Sequence, residues 1–148
     1  MDEVQEYLEA HYKQDAGTVA LKGSPFPLIS SQELATQLAG KKKAAKKLPS
    51  WFHTRGVVYP PAVNLEQTSS EATARYKASL VGGSRLADLT GGFGVDSLYF
   101  SRQVDKVWHV EQDRFLSELA AHNLRIQGAI ATEFICGDSL EFLRNTSE

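Results

Sequence analysis

The sequence predicts an α/β fold in which three parallel strands alternate with helices, preceded by a helical N-terminal region. Short apolar segments suited to buried strands occur in the second half of the chain, and a segment with helical periodicity follows each one. Such alternation is typical of βαβ units, which form parallel sheets. The 148 residues suffice for one globular domain with a helical extension. We therefore divide the chain into a helical region, residues 1–65, and a sheet-forming domain, residues 66–148.

The N-terminal region is predicted to contain two helices joined by an extended connector. Apolar and aromatic residues recur at helical spacing over residues 2–14, and Gly17 is the expected end of this helix. A glycine and two prolines within residues 18–29 exclude a regular helix there. The next helix begins at the capping box Ser30-Ser31-Gln32-Glu33 and extends to Pro49.

The second half begins with one more helix, after which strands and helices alternate. That helix is opened by a capping box at Thr68-Ser69-Ser70-Glu71 and closed by Gly82 and Gly83. Apolar segments then predict buried strands at 85–89, 106–110 and 132–136. Helical segments follow these strands at 95–101, 113–127 and 139–144.

Composition and charge exclude several classes of protein. The net charge of -2 gives no overall attraction to nucleic acid, so a basic binding surface must be local. The single cysteine, Cys136, excludes a disulfide within the chain and fits a reducing compartment. No segment resembles a signal peptide or reaches the roughly 18 apolar residues of a membrane span, so we predict a cytoplasmic protein. The spacing of His53, His109 and His122 predicts no metal site.

A glycine-rich loop is the strongest chemical signal in the sequence. Thr90, Gly91, Gly92 and Gly94 lie directly after a predicted strand and directly before a predicted helix. This context gives such a motif its meaning, because glycines let the backbone approach a ligand with no Cβ in the way. An ordinary turn between a strand and a helix remains the alternative at this point.

The residue before the loop, Asp88, narrows the choice of ligand. A dinucleotide places its pyrophosphate against the loop N–H groups, where a carboxylate would repel it. S-adenosyl-L-methionine carries no phosphate, and the ammonium group of its methionine end suits an aspartate. The third glycine of the dinucleotide pattern is also missing, because Ser97 stands there.

Two further acidic residues follow the other predicted strands. Glu111, with Gln112 beside it, ends the second strand, where a carboxylate accepts hydrogen bonds from ribose hydroxyls. Asp138 follows the third strand and either receives the adenine amino group or caps the next helix. Because parallel strands end at the same edge of a sheet, we expect Asp88, Glu111 and Asp138 to lie along one edge, where ligands bind.

These residues resemble the motifs of class I methyltransferases that use S-adenosyl-L-methionine. Asp88, Gly92 and Gly94 match the D-x-x-x-G-x-G loop, Glu111 the acidic end of the second strand, and Asp138 the acid near adenine. More closely, residues 48–51, 66–77 and 88–97 resemble a bacterial family of predicted RNA methyltransferases with a C-terminal THUMP-like or ferredoxin-like module.

The resemblance implies a role for the helix before the first strand. In such enzymes this helix helps to close the cofactor site, which places Gln67, Ser69, Ser70 and Thr73 near the methionine end. The alternative is that these residues only cap the helix.

The resemblance also implies a sheet of seven strands, of which this sequence supplies three. The fourth strand carries the motif that positions the target atom, so we expect the catalytic residues to lie outside the sequence and this truncated chain to be inactive. The first strand would then have an open edge. We expect either a homodimer through that edge or its coverage by N-terminal residues.

A basic cluster ends the second predicted helix. It contains five lysines, namely Lys41, Lys42, Lys43, Lys46 and Lys47. They either complement the helix dipole and aid solubility, or contact the phosphate backbone of an RNA substrate.

The sequence thus favours an S-adenosyl-L-methionine-dependent methyltransferase acting on RNA. Two alternatives stay open: an NAD-dependent oxidoreductase, and a noncatalytic nucleotide-binding or interaction module.

Overall fold

A computed structural model describes residues 2–146, and the chain divides between Glu66 and Gln67 into two compact units. The first unit is helical. Its helices are α1 (Asp2–His11), α2 (Ala16–Lys22), α3 (Ser31–Lys47), α4 (Pro49–His53) and α5 (Ala62–Gln67).

The second unit alternates helices and strands. Its elements are α6 (Glu71–Ser79), β1 (Arg85–Asp88), α7 (Val95–Phe100), β2 (Lys106–Glu111), α8 (Arg114–Ile126), β3 (Thr132–Cys136) and α9 (Ser139–Asn145). The strands form one parallel sheet in the order β1-β2-β3, which confirms the predicted fold class.

The central strand β2 is the most buried strand of the sheet. Val107, His109 and Val110 have no exposed surface, and α7 and α8 both pack against β2. The register pairs Asp88 with His109 and Glu111 with Cys136, so the C-terminal ends of neighbouring strands lie side by side.

The edge strand β1 is less buried than the sequence predicts. Arg85 and Ala87 are exposed, and Leu86 and Asp88 are half-buried. Among the described residues β1 pairs with β2 alone, so one of its edges has no strand partner.

Helices α1, α2 and α3 build the core of the first unit. Its buried centre consists of Leu8, Val19, Leu34 and Leu38. The capping box that opens α3 is confirmed: Ser30 Oγ accepts from the Glu33 N–H at 3.1 Å, and Glu33 Oε2 accepts from the Ser30 N–H at 2.8 Å. These bonds from Ser30 lower the pKa of the Glu33 carboxyl.

The prediction of an extended connector over residues 18–29 is wrong for its first part. Helix α2 continues to Lys22, and Gly17 lies inside it rather than ending the preceding helix. Asp15 caps α2 by accepting from the Gly17 N–H at 3.4 Å, and Val19 is buried. The glycine and prolines of this segment interrupt the helix only from Gly23 onward, where a φ of 84° favours glycine.

Other helix boundaries also differ from prediction. Helix α6 begins after Ser70, whose Oγ accepts from the Thr73 N–H at 3.1 Å, so Thr68 is not the cap. The short helices α4 and α5 were not predicted; α4 begins at Pro49, which costs no hydrogen bond in a first turn. No helix within residues 2–146 has the length and apolar character needed to cross a membrane.

Candidate cofactor-binding site

The glycine-rich loop joins β1 to α7 and is held against the end of β2. The Gly91 N–H donates to the carbonyl of Val110 at 3.0 Å, and the Gly94 N–H donates to the carbonyl of Gly91 at 3.0 Å. Thr90, at the start of the loop, donates its N–H to Asp88 Oδ1 at 3.3 Å. The loop therefore turns sharply at the C-terminal edge of the sheet.

Two physical requirements, close packing and a positive φ angle, account for the glycines of the loop. A Cβ on Gly91 would lie 2.5 Å from His109 Nε2, and one on Gly94 would lie 2.9 Å from Leu124 Cδ1. Gly92 and Gly94 also have positive φ angles of 52° and 93°, which side chains disfavour. The positions predicted from the motif are thus glycines for reasons of packing and backbone conformation.

Asp88 is oriented by Ser97. The Ser97 hydroxyl donates to Asp88 Oδ2 at 2.7 Å, and Ser97 has no exposed surface. In the sequence Ser97 only marks a departure from the dinucleotide pattern. In the structure it holds the carboxylate beside the loop.

Glu111 connects the end of β2 to the loop. Its Oε2 accepts from the Gly92 N–H at 2.8 Å, and its Oε1 accepts from the Asp113 N–H at 2.8 Å. Each carboxylate oxygen has a second lone pair, so Glu111 retains acceptor capacity for a ligand. The neighbouring Gln112 is exposed.

His109 is a loop contact that sequence reasoning missed. Its Nε2 lies 3.1 Å from the Gly92 carbonyl oxygen, which requires the proton to be on Nε2. Its Nδ1 is buried and has no hydrogen-bond partner among the described residues. The sequence carries one signal for this contact. Side chains alternate between the two faces of β2, so position 109 lies on the same face as the buried Val107.

Asp138 follows Gly137, the residue just after β3 that bonds to the end of β2. The Gly137 N–H donates to the backbone carbonyl of Glu111 at 3.0 Å. Asp138 is exposed and caps α9, its Oδ1 accepting from the Glu141 N–H at 2.9 Å. The capping role is therefore present, and Oδ2 remains for another partner.

The residues before α6 divide into two groups. Ser69 reaches the loop region, donating to Asp96 Oδ2 at 3.3 Å. Ser70 and Thr73 instead bond to each other in the helix cap, and Gln67 is exposed at the end of α5. The structure therefore brings Ser69, rather than the whole group, to the residues that follow the glycines.

Three of the five clustered lysines are engaged within the helical unit. Lys41 is buried, with Nζ bonded to the Phe52 carbonyl at 3.3 Å and burial lowering its pKa. Lys47 donates to the carbonyls of Leu65 and Glu66, and Lys43 pairs with the Glu66 carboxylate at 3.1 Å. The exposed members are Lys42 and Lys46.

Residues 2–146 contain no group of three or more histidine, cysteine, aspartate or glutamate side chains placed to hold a metal ion.

Comparisons with known proteins support the fold. No protein-family profile matches the sequence, and no curated protein matches it. A crystal structure described as a "putative methyltransferase from Porphyromonas gingivalis W83" superposes with a TM-score of 0.80 at 23% sequence identity. The match covers 96% of this chain and 36% of that chain, so this chain spans about a third of its neighbour's length. At this identity the likeness establishes a shared fold.

Proposed function

We propose that the second unit binds S-adenosyl-L-methionine and forms the cofactor-binding part of a methyltransferase. The observation that carries the proposal is the convergence of Asp88, Glu111 and Asp138 on one edge of a parallel sheet, around a glycine loop. Ligands bind at this edge in open α/β folds. The structural neighbour, described as a methyltransferase, shares this fold.

The residues present fit the chemical groups of this cofactor. Asp88 offers a carboxylate to the ammonium group, Glu111 has acceptor capacity left for ribose hydroxyls, and Asp138 has a free oxygen for the adenine amino group. The loop offers close backbone approach, while a carboxylate beside it disfavours pyrophosphate.

The protein's contribution to such a reaction is placement. S-adenosyl-L-methionine supplies an electrophilic methyl group, which passes to a nucleophile while the S–CH3 electron pair stays on sulfur. Asp88 and Asp138 would fix the two ends of the cofactor, and Glu111 its ribose, so that the methyl group faces the nucleophile. The gain is in orientation rather than in acid-base chemistry.

Calorimetry on the 148-residue chain tests the proposal. We expect binding of S-adenosyl-L-methionine and S-adenosylhomocysteine, no measurable binding of NAD, and a large loss of affinity for both adenosyl ligands in Asp88→Asn. Glu133→Gln is the matched control, because Glu133 pairs with Lys106 at the opposite edge of the sheet. Binding of NAD in preference to the adenosyl ligands would show that the unit is a dinucleotide site.

For the substrate we propose RNA, on the basis of the family resemblance and the exposed lysines of α3. Lys42 and Lys46 lie one helical turn apart and are exposed, a spacing suited to neighbouring phosphates. The double variant Lys42→Ala/Lys46→Ala should weaken RNA binding and flatten its salt dependence, measured by fluorescence anisotropy. The control is Lys13→Ala/Lys22→Ala, which changes the net charge equally and should leave RNA binding intact. Equal losses of affinity in both double variants would show that net charge alone accounts for the effect.

We also propose that two copies pair through the free edge of β1. This edge offers backbone hydrogen-bonding groups with no strand partner among the described residues. Sedimentation equilibrium should show a concentration-dependent dimer, and a monomer at all concentrations would contradict the proposal. We also propose a cytoplasmic location. Cys136 is an exposed free thiol, and free thiols are typical of a reducing compartment.

A further inference from the structure

Within residues 91–94 of the glycine loop, Gly92 is the most exposed residue. Gly91, Phe93 and Gly94 are buried, whereas Gly92 is half-buried. A Cβ on Gly92 would lie 3.7 Å from the Thr90 carbonyl oxygen, an ordinary contact, so close packing does not fix this residue. Its φ of 52° is one of many conformations that a glycine can adopt. Hydrogen bonds must therefore hold it in place.

Both backbone groups of Gly92 are bonded to side chains of β2. The Gly92 N–H donates to Glu111 Oε2 at 2.8 Å, and His109 Nε2 donates to the Gly92 carbonyl oxygen at 3.1 Å. His109 and Glu111 lie two positions apart in β2, so both side chains are on the same face of the sheet. One strand thus holds the exposed part of the loop through two side chains.

We propose that His109 is a positioning residue for the cofactor. Its Nε2–H holds the Gly92 carbonyl, so that the exposed part of the loop has its binding conformation before the ligand arrives. A loop ordered in advance loses less freedom on binding, which increases the affinity. His109 has no exposed surface, so it acts through Gly92 and not by contact with the ligand. The inference rests on the proposed function and adds to it a residue outside the set of ligand contacts.

The contacts of His109 also predict its tautomer. Nε2 donates to the carbonyl only when it carries the proton, and Nδ1 is buried with no hydrogen-bond partner within residues 2–146. We therefore expect nitrogen NMR of the imidazole to show the proton on Nε2. A proton on Nδ1 would overturn the proposal, because Nε2 and the Gly92 carbonyl would then both be acceptors.

The competing explanation is that His109 only fills space beneath the loop. A Cβ on Gly91 would lie 2.5 Å from Nε2 and 2.6 Å from Cδ2, so the ring packs tightly against Gly91. The ring centroid also lies 5.3 Å from that of Phe134 on β3. Two substitutions separate the explanations. Phenylalanine keeps a packed ring but has no donor, whereas glutamine gives up the ring and keeps an N–H donor.

Calorimetry with S-adenosylhomocysteine and urea denaturation should respond to these variants in opposite ways. For His109→Phe we expect about a threefold to tenfold loss of affinity, the value of one hydrogen bond, with little change in the urea midpoint. For His109→Gln we expect a lower urea midpoint but an affinity close to that of the unsubstituted chain. His109→Leu also lacks a donor and is smaller, so it should lose affinity like His109→Phe and replaces that variant if the larger ring prevents folding.

His122→Phe is the matched control, because His122 is half-buried on α8 and the change is the same. It should leave the affinity unchanged. If His109→Phe binds as tightly as the unsubstituted chain, or if His109→Gln loses as much affinity as His109→Phe, then His109 only packs and this inference is wrong while the proposed function stands. If the unsubstituted chain binds no adenosyl ligand, the proposed function fails and takes this inference with it.

Discussion

The hydroxyl of Ser97 donates a 2.7 Å hydrogen bond to Oδ2 of Asp88, joining α7 to the end of β1. Because Ser97 has no exposed surface, water has no access to replace that donor. The orientation of the carboxylate therefore depends on a residue nine positions away along the chain. The departure from the dinucleotide pattern at position 97 thereby becomes part of the proposed cofactor site.

Ser97→Ala should weaken binding of S-adenosyl-L-methionine about tenfold, because a hydrogen bond to a charged group contributes about 1.5–3 kcal/mol. Calorimetry with the 148-residue chain measures this loss. Ser101→Ala is the control: Ser101 lies at the end of the same helix and donates to the Leu98 carbonyl. An unchanged affinity in Ser97→Ala would mean that Asp88 needs no fixed orientation.

Glu111→Gln should destabilise the loop as well as weaken ligand binding. The glutamine amide nitrogen would face the N–H of either Gly92 or Asp113, both of which now donate to the carboxylate at 2.8 Å. Leaving one of these donors unpaired should lower the free energy of unfolding by about 1–3 kcal/mol, measured by urea denaturation.

Glu118→Gln serves as the comparison for that variant. Glu118 pairs with Arg114 on an exposed face of α8, so its loss should cost less than about 0.5 kcal/mol. Equal effects in the two variants would indicate that the backbone bonds of Glu111 add nothing beyond its charge.

Gly91→Ala should be among the most damaging single-methyl additions in the loop. Its Cβ would lie 2.5 Å from Nε2 of the buried His109, which is itself packed beneath the loop. Overpacking of this kind costs about 1–3 kcal/mol. Gly137→Ala adds the same methyl group where nothing lies within 4 Å, so its midpoint of urea unfolding should remain close to that of the unsubstituted chain.

Local patterns predicted the strands and the long helices well. The bounds of β3, Thr132–Cys136, agree with the apolar segment, and β2 extends only one residue further, to Glu111. The capping box at Ser30 and Glu33 also formed as expected. In each case neighbouring residues hold the whole signal: alternation for a strand, and side-chain bonds over one turn for a cap.

Side-chain contacts between residues that are distant in the sequence were not predicted. The sequence cannot show that Lys41 is buried against Phe52, since that contact joins two separate helices. The same holds for the ion pair between Lys77 and Asp96, which lie 19 positions apart in sequence. The cap of α2 by Asp15 is a different case, because an aspartate before a helix is a local signal. It was missed because the glycine and prolines that follow α2 favoured an extended connector over the whole segment.

A buried contact between Tyr99 and Glu71 gives a further test, of stability. The Tyr99 hydroxyl donates to Glu71 Oε1 at 2.6 Å and joins α7 to α6. Tyr99→Phe should lower the free energy of unfolding at pH 7 by about 1–3 kcal/mol, because a buried carboxylate oxygen loses a donor. Tyr76→Phe is the control, since the Tyr76 side chain is 65% exposed.

The effect of Tyr99→Phe should shrink as the solution becomes alkaline. Burial, reinforced by Glu71, raises the pKa of Tyr99 above its value in the unfolded chain. A raised pKa means that the stabilisation is complete below the unfolded value of about 10 and is lost as the pH rises through the folded value. Urea midpoints of the unsubstituted chain and the variant should therefore converge above about pH 10. A constant difference between pH 7 and the alkaline range would contradict this expectation, because it would mean that ionisation of the Tyr99 hydroxyl is not linked to the stability of the fold.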